Sequence, residues 1–528
     1  MRERSWLLAP LLLAVVVNLG ALSTELVFDD TRIIEGNHEL ERLSDIPHHF
    51  TRDAWSGSGE HSRLWRPLLR TSLTIDRTLF GPSALAFRAT NLALHVAVCA
   101  ALLSLLLALG CARADAGLAT ALFAVHPTHV EVLASAFNRS ESMGTLACLL
   151  AAGAVARHAT RRPARALSVA AACMVVGLLC RENVVALPAL VALGLWLPPP
   201  EERAGARTRI LVPLVLGSLV IAYAVARHVA LGEHAPAGVA GYLPPQPAAG
   251  PSRAASVLEP LASYARLLLV PTGLKVDYAG AGIVRGGVWL AGAAALHGLA
   301  LGVALWFRRR AWRMSLAIGW FYVALLPSTK IFADPAILAE RFLYLPSVAL
   351  AIAVAAGLPW LRERAGTRLA HVLLAVLAIG FSARTLERAA DWQSNVSLWR
   401  AELAVNPGSL LARHQLGIAL LRVGQPAEAE ALLADAIRRG LSSTRVHDAL
   451  GGARAMQGHW ADADRAFAEG LARAPDDVPL RLNYALMLLR SGDAARAVPI
   501  LERAATLAPG DARLRSLLEA AQAAAIPR

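Results

Sequence analysis

Residues 87–109 read FRATNLALHVAVCAALLSLLLAL. After Arg88 the stretch carries no charge, and it is longer than the ~20 apolar residues a helix needs to cross a bilayer. Its Asn91 and His95 lie four apart and so share one helix face. Runs of the same kind recur on both sides, at 6–24, 116–136, 142–157, 166–180, 183–198, 210–230, 287–307, 313–328, 341–360 and 368–384. Together they predict about eleven spans. Composition agrees: hydrophobic residues make up 56% of the 528 and charged residues 17%, and the mean hydropathy is +0.47. That excludes an ordinary soluble domain. The first run follows Arg2 and Arg4 and reads as an uncleaved span rather than a signal peptide, because so many spans follow it.

The net charge is +13, almost all of it arginine, since Lys275 and Lys330 are the only lysines. The arginines gather in short loops between apolar runs, which is the signature of membrane orientation and not of nucleic-acid binding. With the N-terminus in the cytoplasm, the inner ends hold Arg2, Arg4, Arg113 and the arginines of 157–165, 203–209, 308–313 and 362–368. The short outer turns hold only Arg139, Arg181, Lys330 and Arg341. The five cysteines, Cys99, Cys111, Cys148, Cys173 and Cys180, lie in or beside apolar runs without ligand spacing and read as small apolar residues.

Two long loops then face outward. The first, 25–85, opens with Phe28-Asp29-Asp30 and carries Trp55, Trp65, Arg66, Arg70 and Arg77. The second, 231–286, begins with a Pro/Gly/Ala-rich stretch, 235–251, expected to be irregular. It continues through 254–270, where Val257, Leu261, Tyr264, Leu267 and Leu268 recur at helical spacing and predict an amphipathic helix on the membrane face.

Beyond residue 386 no membrane-length run occurs, and a period of thirty-four sets in. It holds for Gly417, Gly451 and Ala485, for Ala429, Ala463 and Ala497, and for Leu433, Phe467 and Leu501. Pro475 and Pro509 repeat as well. This is the tetratricopeptide pattern, an α-solenoid of helix pairs. Whole repeats span 410–443, 444–477 and 478–511, with a capping helix after Asp511. The expected division is therefore a membrane domain over 1–386 and a repeat domain over 387–528, an all-α chain throughout.

Several polar groups collect at the outer ends of spans: Asn91 and His95; His126, His129 and Glu131 around Pro127; Asn138, Arg139, Ser140 and Glu141; Arg181 and Glu182; Lys330 and Arg341. A histidine or asparagine inside a span ordinarily serves a helix–helix hydrogen bond. His126, His129 and Glu131 lack the His-Glu-x-x-His order, so no metal site is read. Convergence on the outer half, beside the loop that carries Asp29 and Asp30, favours chemistry. Arginines facing a carboxylate suit an anionic lipid phosphate next to a general base.

The chain resembles the transmembrane and tetratricopeptide-repeat-containing O-mannosyltransferases, which have a C-type glycosyltransferase fold. The resemblance rests on Phe28-Asp29-Asp30, Trp65-Arg66-Pro67-Leu68, Asn91-Leu92-Ala93-Leu94-His95, His126-Pro127-Thr128-His129-Val130-Glu131 and Arg181-Glu182. It continues through Leu267-Leu268-Leu269-Val270-Pro271 with Asp277-Tyr278, and Ala339-Glu340-Arg341-Phe342-Leu343-Tyr344-Leu345-Pro346-Ser347. It implies transfer of a sugar, mannose in the animal members, from a polyprenyl-phosphate donor to protein hydroxyls on the exoplasmic side. The repeats would recruit the acceptor. It implies a catalytic role for Asp29 and Asp30, with the first the closer match to the family's base and the choice between them open. Arg66, Arg341, Arg181 and Arg139 become candidates for the donor phosphate. Asn91, His95, His126, His129, Glu131 and Glu182 become pocket or orienting residues. No cofactor is implied beyond the lipid-linked donor. Two departures stand out: Arg181 replaces the lysine usual in the animal proteins, and only three whole repeats follow. The scarcity of lysine and the Ala/Arg-rich composition point to a bacterial chain in an inner membrane. The competing readings are a glycosyltransferase acting on a glycan or lipid, and a membrane-anchored repeat scaffold without catalysis.

Overall fold

The structure, a computed structural model, describes residues 2–23, 25–59, 62–232, 252–278, 285–329 and 338–526, with the side chains of 2–5 left aside. The expected irregular stretch 235–251 and Lys330 lie outside them. The described residues are helical, with no strand among them, and form two compact units on either side of Ser394. The first unit runs past the composition change at 386 because the helix Thr367–Asp391 continues through it unbroken.

In the first unit a helix occupies each apolar run. Five helices are long and apolar enough to cross a membrane: Ala84–Ala108, Pro163–Cys180, Ala206–Leu231, Gly287–Phe307 and Thr367–Asp391. The other runs give shorter or interrupted helices. The expected span 116–136 breaks: its helix, Arg113–Ala124, stops before Pro127, a 3-10 turn covers Pro127–His129, and a short helix follows at Val130–Ala134. Proline has no N–H to give and clashes with the preceding turn, so the break falls where the sequence demands it.

Helices Arg139–His158 and Pro163–Cys180 pack closely through glycine. A methyl group on Gly177 would stand 3.0 Å from Ala147 Cβ and from Val184 Cγ1. The helix Arg253–Leu269 buries Leu261, Tyr264, Leu267 and Leu268, the expected apolar face. The outer loop between Glu25 and Phe80 is ordered around its own small core, in which Ile33, Ile34, Leu40, Leu69 and Leu73 are buried.

In the second unit the helix pairs are Leu410–Arg422 with Pro426–Arg438, Thr444–Met456 with Trp460–Arg473, and Val478–Arg490 with Ala494–Leu507. Ala512–Ala525 follows. The thirty-four-residue pattern has a direct steric cause. A methyl on Gly417 would come within 2.7 Å of Leu433, and one on Gly451 within 2.6 Å of Phe467. The small residue of each first helix seats the large residue of its partner.

Candidate active site

Asp29 precedes the short helix Asp30–Ile33 and occupies its N-cap position, yet its side chain makes no cap hydrogen bond. An aspartate there ordinarily accepts from the first free N–H groups. Phe28, one residue earlier, has φ +58, the one positive value outside glycine among the described residues. Such a conformation costs ~1 kcal/mol or more and persists where the surroundings impose it. The tight turn aims Asp29 into a cavity of about 360 Å³, which it lines together with Arg66, Arg181, Glu182 and Arg341.

Asp30 takes the opposite course. It is 1% exposed, and its carboxylate accepts from Ala136 N at 2.7 Å, Phe137 N at 2.9 Å and Ser135 Oγ at 3.0 Å. It does not line the cavity. The expectation of a catalytic Asp30 is therefore corrected: its lone pairs are spent on the turn that sets the Phe137 ring in the cavity wall.

Each cavity arginine has a glutamate and an aromatic ring. Arg66 donates through Nε to Glu182 at 2.9 Å and lies 5.6 Å from the centre of the Phe137 ring. Arg181 pairs with Glu141 and donates to Ser140 Oγ at 3.0 Å. Arg341 pairs with Glu131 through its guanidinium, and its backbone N–H donates to the same carboxylate at 2.9 Å. The Phe342 ring lies 5.7 Å from the Arg181 guanidinium and 5.1 Å from that of Arg341. Guanidinium groups held by a carboxylate on one side and a ring on another keep their orientation before any ligand arrives. Trp55 closes another side, edge-on to Phe137 at 6.1 Å.

Burial raises the Asp29 carboxyl to about 6, against the opposing pull of the Arg341 and Arg32 charges. At neutral pH it is ionised but ready to take a proton, which is the balance a general base needs.

The remaining expected site residues lie behind the wall or away from it. Arg139 is fully buried: its Nη2 donates to Asp76 at 2.6 Å and its Nε to Asn91 Oδ1 at 2.8 Å. It does not line the cavity, unlike Arg66, Arg181 and Arg341, so its guanidinium is not placed to meet a phosphate there. Asn91 in turn donates to the carbonyls of Leu133 at 3.0 Å and Ser135 at 2.9 Å. His95 hydrogen-bonds Tyr344 Oη at 2.7 Å, His126 the Leu268 carbonyl at 3.0 Å, and His129 Ser347 Oγ at 2.9 Å. These three fix helix ends within the bundle and do not line the cavity. Glu131 contributes through Arg341. Sequence reading gave no role to Phe137 and Phe342, and their only sequence signal is that each stands next to or near a turn arginine.

Comparison with known proteins bears on this site. Residues 454–521 match the tetratricopeptide repeat model. Protein O-mannosyl-transferase Tmtc3 of Drosophila melanogaster is 23% identical over 545 aligned residues, covering 88% of this chain and 58% of that protein. Protein O-mannosyl-transferase Tmtc1 of the same fly is 30% identical over 187, covering 35% and 21%. Protein O-mannosyl-transferase F38B6.6 of Caenorhabditis elegans is 24% identical over 436, covering 79% and 60%. The chain thus spans less than two thirds of the length of these relatives. A chain of the APC/C Cut9–Hcn1 crystal structure aligns over 86% of this chain and 89% of its own at 11% identity and a TM-score of 0.25, which carries no weight for the fold. Relatives named protein O-mannosyl-transferase thus align with most of the chain, and a tetratricopeptide match lies in its last part, so the chain is similar to that family along the stretches its sequence resembles.

Proposed function

We propose that this protein is a membrane glycosyltransferase that moves a sugar, mannose in the first instance, from a polyprenyl-phosphate donor to hydroxyl groups of exported proteins. The observation that carries the reading is an aspartate at a helix start that makes no cap bond and lines a cavity walled by three arginines. Asp29 takes the proton of the acceptor hydroxyl as its oxygen attacks the anomeric carbon. The bond from that carbon to the phosphate oxygen breaks, the configuration inverts, and the second negative charge that develops on the phosphate meets Arg66, Arg181 and Arg341. The names of the relatives support a protein acceptor. The repeats fit acceptor recruitment, because paired helices of this kind present an extended binding face. The arginine distribution fits an N-terminus in the cytoplasm of a bacterial cell, with the cavity and the repeats on the exoplasmic side of the inner membrane.

The test uses purified full-length protein in nanodiscs with radiolabelled mannosyl-phosphoryl-polyprenol and host envelope proteins, comparing wild type with Asp29→Asn. Label is expected on protein bands with wild type only. Label on lipid or glycan would move the acceptor and keep the chemistry. No turnover and no binding with any of several sugar-lipids would leave a scaffold as the remaining reading.

A further inference from the structure

A second and larger hollow, about 720 Å³, lies between the helix Arg253–Leu269 and the start of Gly287–Phe307. Among the described residues four charged side chains line it: Glu259, Arg266, Lys275 and Arg285. Glu259 is 5% exposed and its charge is used locally, since its two oxygens accept from Arg285 N at 2.7 Å and Gly286 N at 2.8 Å. It thereby caps the incoming helix. The three cations outnumber it. The Arg285 guanidinium stacks 4.6 Å from the Trp289 ring, and Arg266 is steadied by the Thr272 carbonyl at 3.0 Å. Cations therefore predominate three to one among the described charged residues of its lining.

Its apolar side is equally specific. Gly287–Phe307 has the length and hydropathy of a membrane span, and only 11% of that window is buried within the protein. Val288 is 80% exposed and Leu299 67%. A helix of this kind turns its side chains to acyl chains, and the cations sit at its first turn, at headgroup depth. A soluble anion would match the charge and leave the apolar wall bare. A zwitterionic lipid would match the wall but bring its own cation to a lining in which cations predominate.

We infer that this hollow is a binding site for an anionic glycerophospholipid, with the phosphate held by Arg266, Lys275 and Arg285 and the acyl chains laid along Gly287–Phe307. The site is separate from the transferase cavity and does not depend on its assignment. It does touch the same frame. The Lys275 N–H donates to Glu340 at 2.5 Å and Tyr278 Oη donates to it at 3.1 Å, and Glu340 adjoins Arg341 of the cavity wall.

The experiment uses full-length protein exchanged into phosphatidylcholine and titrated with dioleoyl-phosphatidylglycerol, with bound lipid read by native mass spectrometry. Wild type should bind phosphatidylglycerol at least tenfold more tightly than phosphatidylcholine. The double variant Lys275→Gln, Arg285→Gln should lose that preference, while Arg309→Gln, Arg310→Gln beyond the far end of the same helix should keep it. If the first double variant fails to give a monodisperse protein, Arg266→Gln is held to the same criterion. Equal binding by all variants, or equal binding of the two lipids, overturns the site. Displacement by millimolar inorganic phosphate would make it a plain anion site, and preferential binding of undecaprenyl phosphate would make it a dock for the carrier. Either result overturns the phospholipid assignment.

Discussion

A proton taken from an acceptor hydroxyl must land on a carboxylate that is ionised at working pH and faces the reactants. Burial holds the Asp29 carboxyl at about 6. With Asp29 as base, kcat/KM should fall about tenfold per pH unit below about 6 and level off above it, which a profile from pH 5 to 8 checks. Asp29→Asn should lower turnover by roughly 10²–10⁴-fold without loss of stability. The sign follows from linkage. The folded carboxyl binds its proton more tightly than the unfolded one, near 3.9, so ionisation penalises the folded state above about 6. The melting temperature of Asp29→Asn should therefore equal or exceed that of wild type at pH 7.5 and converge with it at pH 4. Asp30→Asn should instead cost stability, through its hydrogen bonds. An amide cannot accept from both Ala136 N and Phe137 N while its NH₂ faces one of them, so about 1–3 kcal/mol of stability is lost. Sequence brought both aspartates forward and could not separate them, because the difference lies in a turn at 135–137 more than a hundred residues away. Arg139 and Arg181 were equally alike as letters. Asp76, which neutralises Arg139, comes from another part of the chain.

Helices were legible wherever a physical period was strong. The thirty-four-residue spacing of Gly417 and Gly451 against Leu433 and Phe467 located the repeats, because that spacing is itself a record of contact. Gly451→Val should cost about 1–3 kcal/mol through overpacking against Phe467, whereas Gly452→Ala, with nothing within 4 Å of its added methyl, should not. Thermal melting of the full-length pair compares them. Hydropathy located the apolar runs but not the lengths of the helices in them. The run 116–136 is apolar throughout, yet Pro127 and the His126 bond to the Leu268 carbonyl end its helix at Ala124. Between helices Arg139–His158 and Pro163–Cys180 the same packing logic reaches the cavity. A methyl on Gly144 would stand 3.1 Å from Arg181 Cβ and 3.2 Å from Val184 Cγ2. Gly144→Leu should push Arg181 off its seat and raise the KM for the proposed lipid donor more than it lowers kcat, measured beside Gly194→Ala, whose surroundings are open.

Across the whole molecule the proposed orientation rests on the arginine asymmetry, and it predicts a measurable outcome. A cysteine placed at Ala525 should react with a membrane-impermeant maleimide from the exoplasmic side of intact spheroplasts, and no reaction until the membrane is broken would reverse the topology. The cavity has a further property, which concerns time and not chemistry. Its walls come from residues 29, 66, 181 and 341, so no contiguous stretch can build it, and Glu131 receives its guanidinium only once residue 341 has been synthesised. Until then a carboxylate that is 2% exposed in the finished protein has no counter-ion, a state worth roughly 3–5 kcal/mol against folding. The ribosome must therefore carry the chain almost to the end of its membrane part before the early spans can settle. In a pulse-chase experiment, chains stopped after residue 329 should be degraded quickly, and chains stopped after residue 394 should persist.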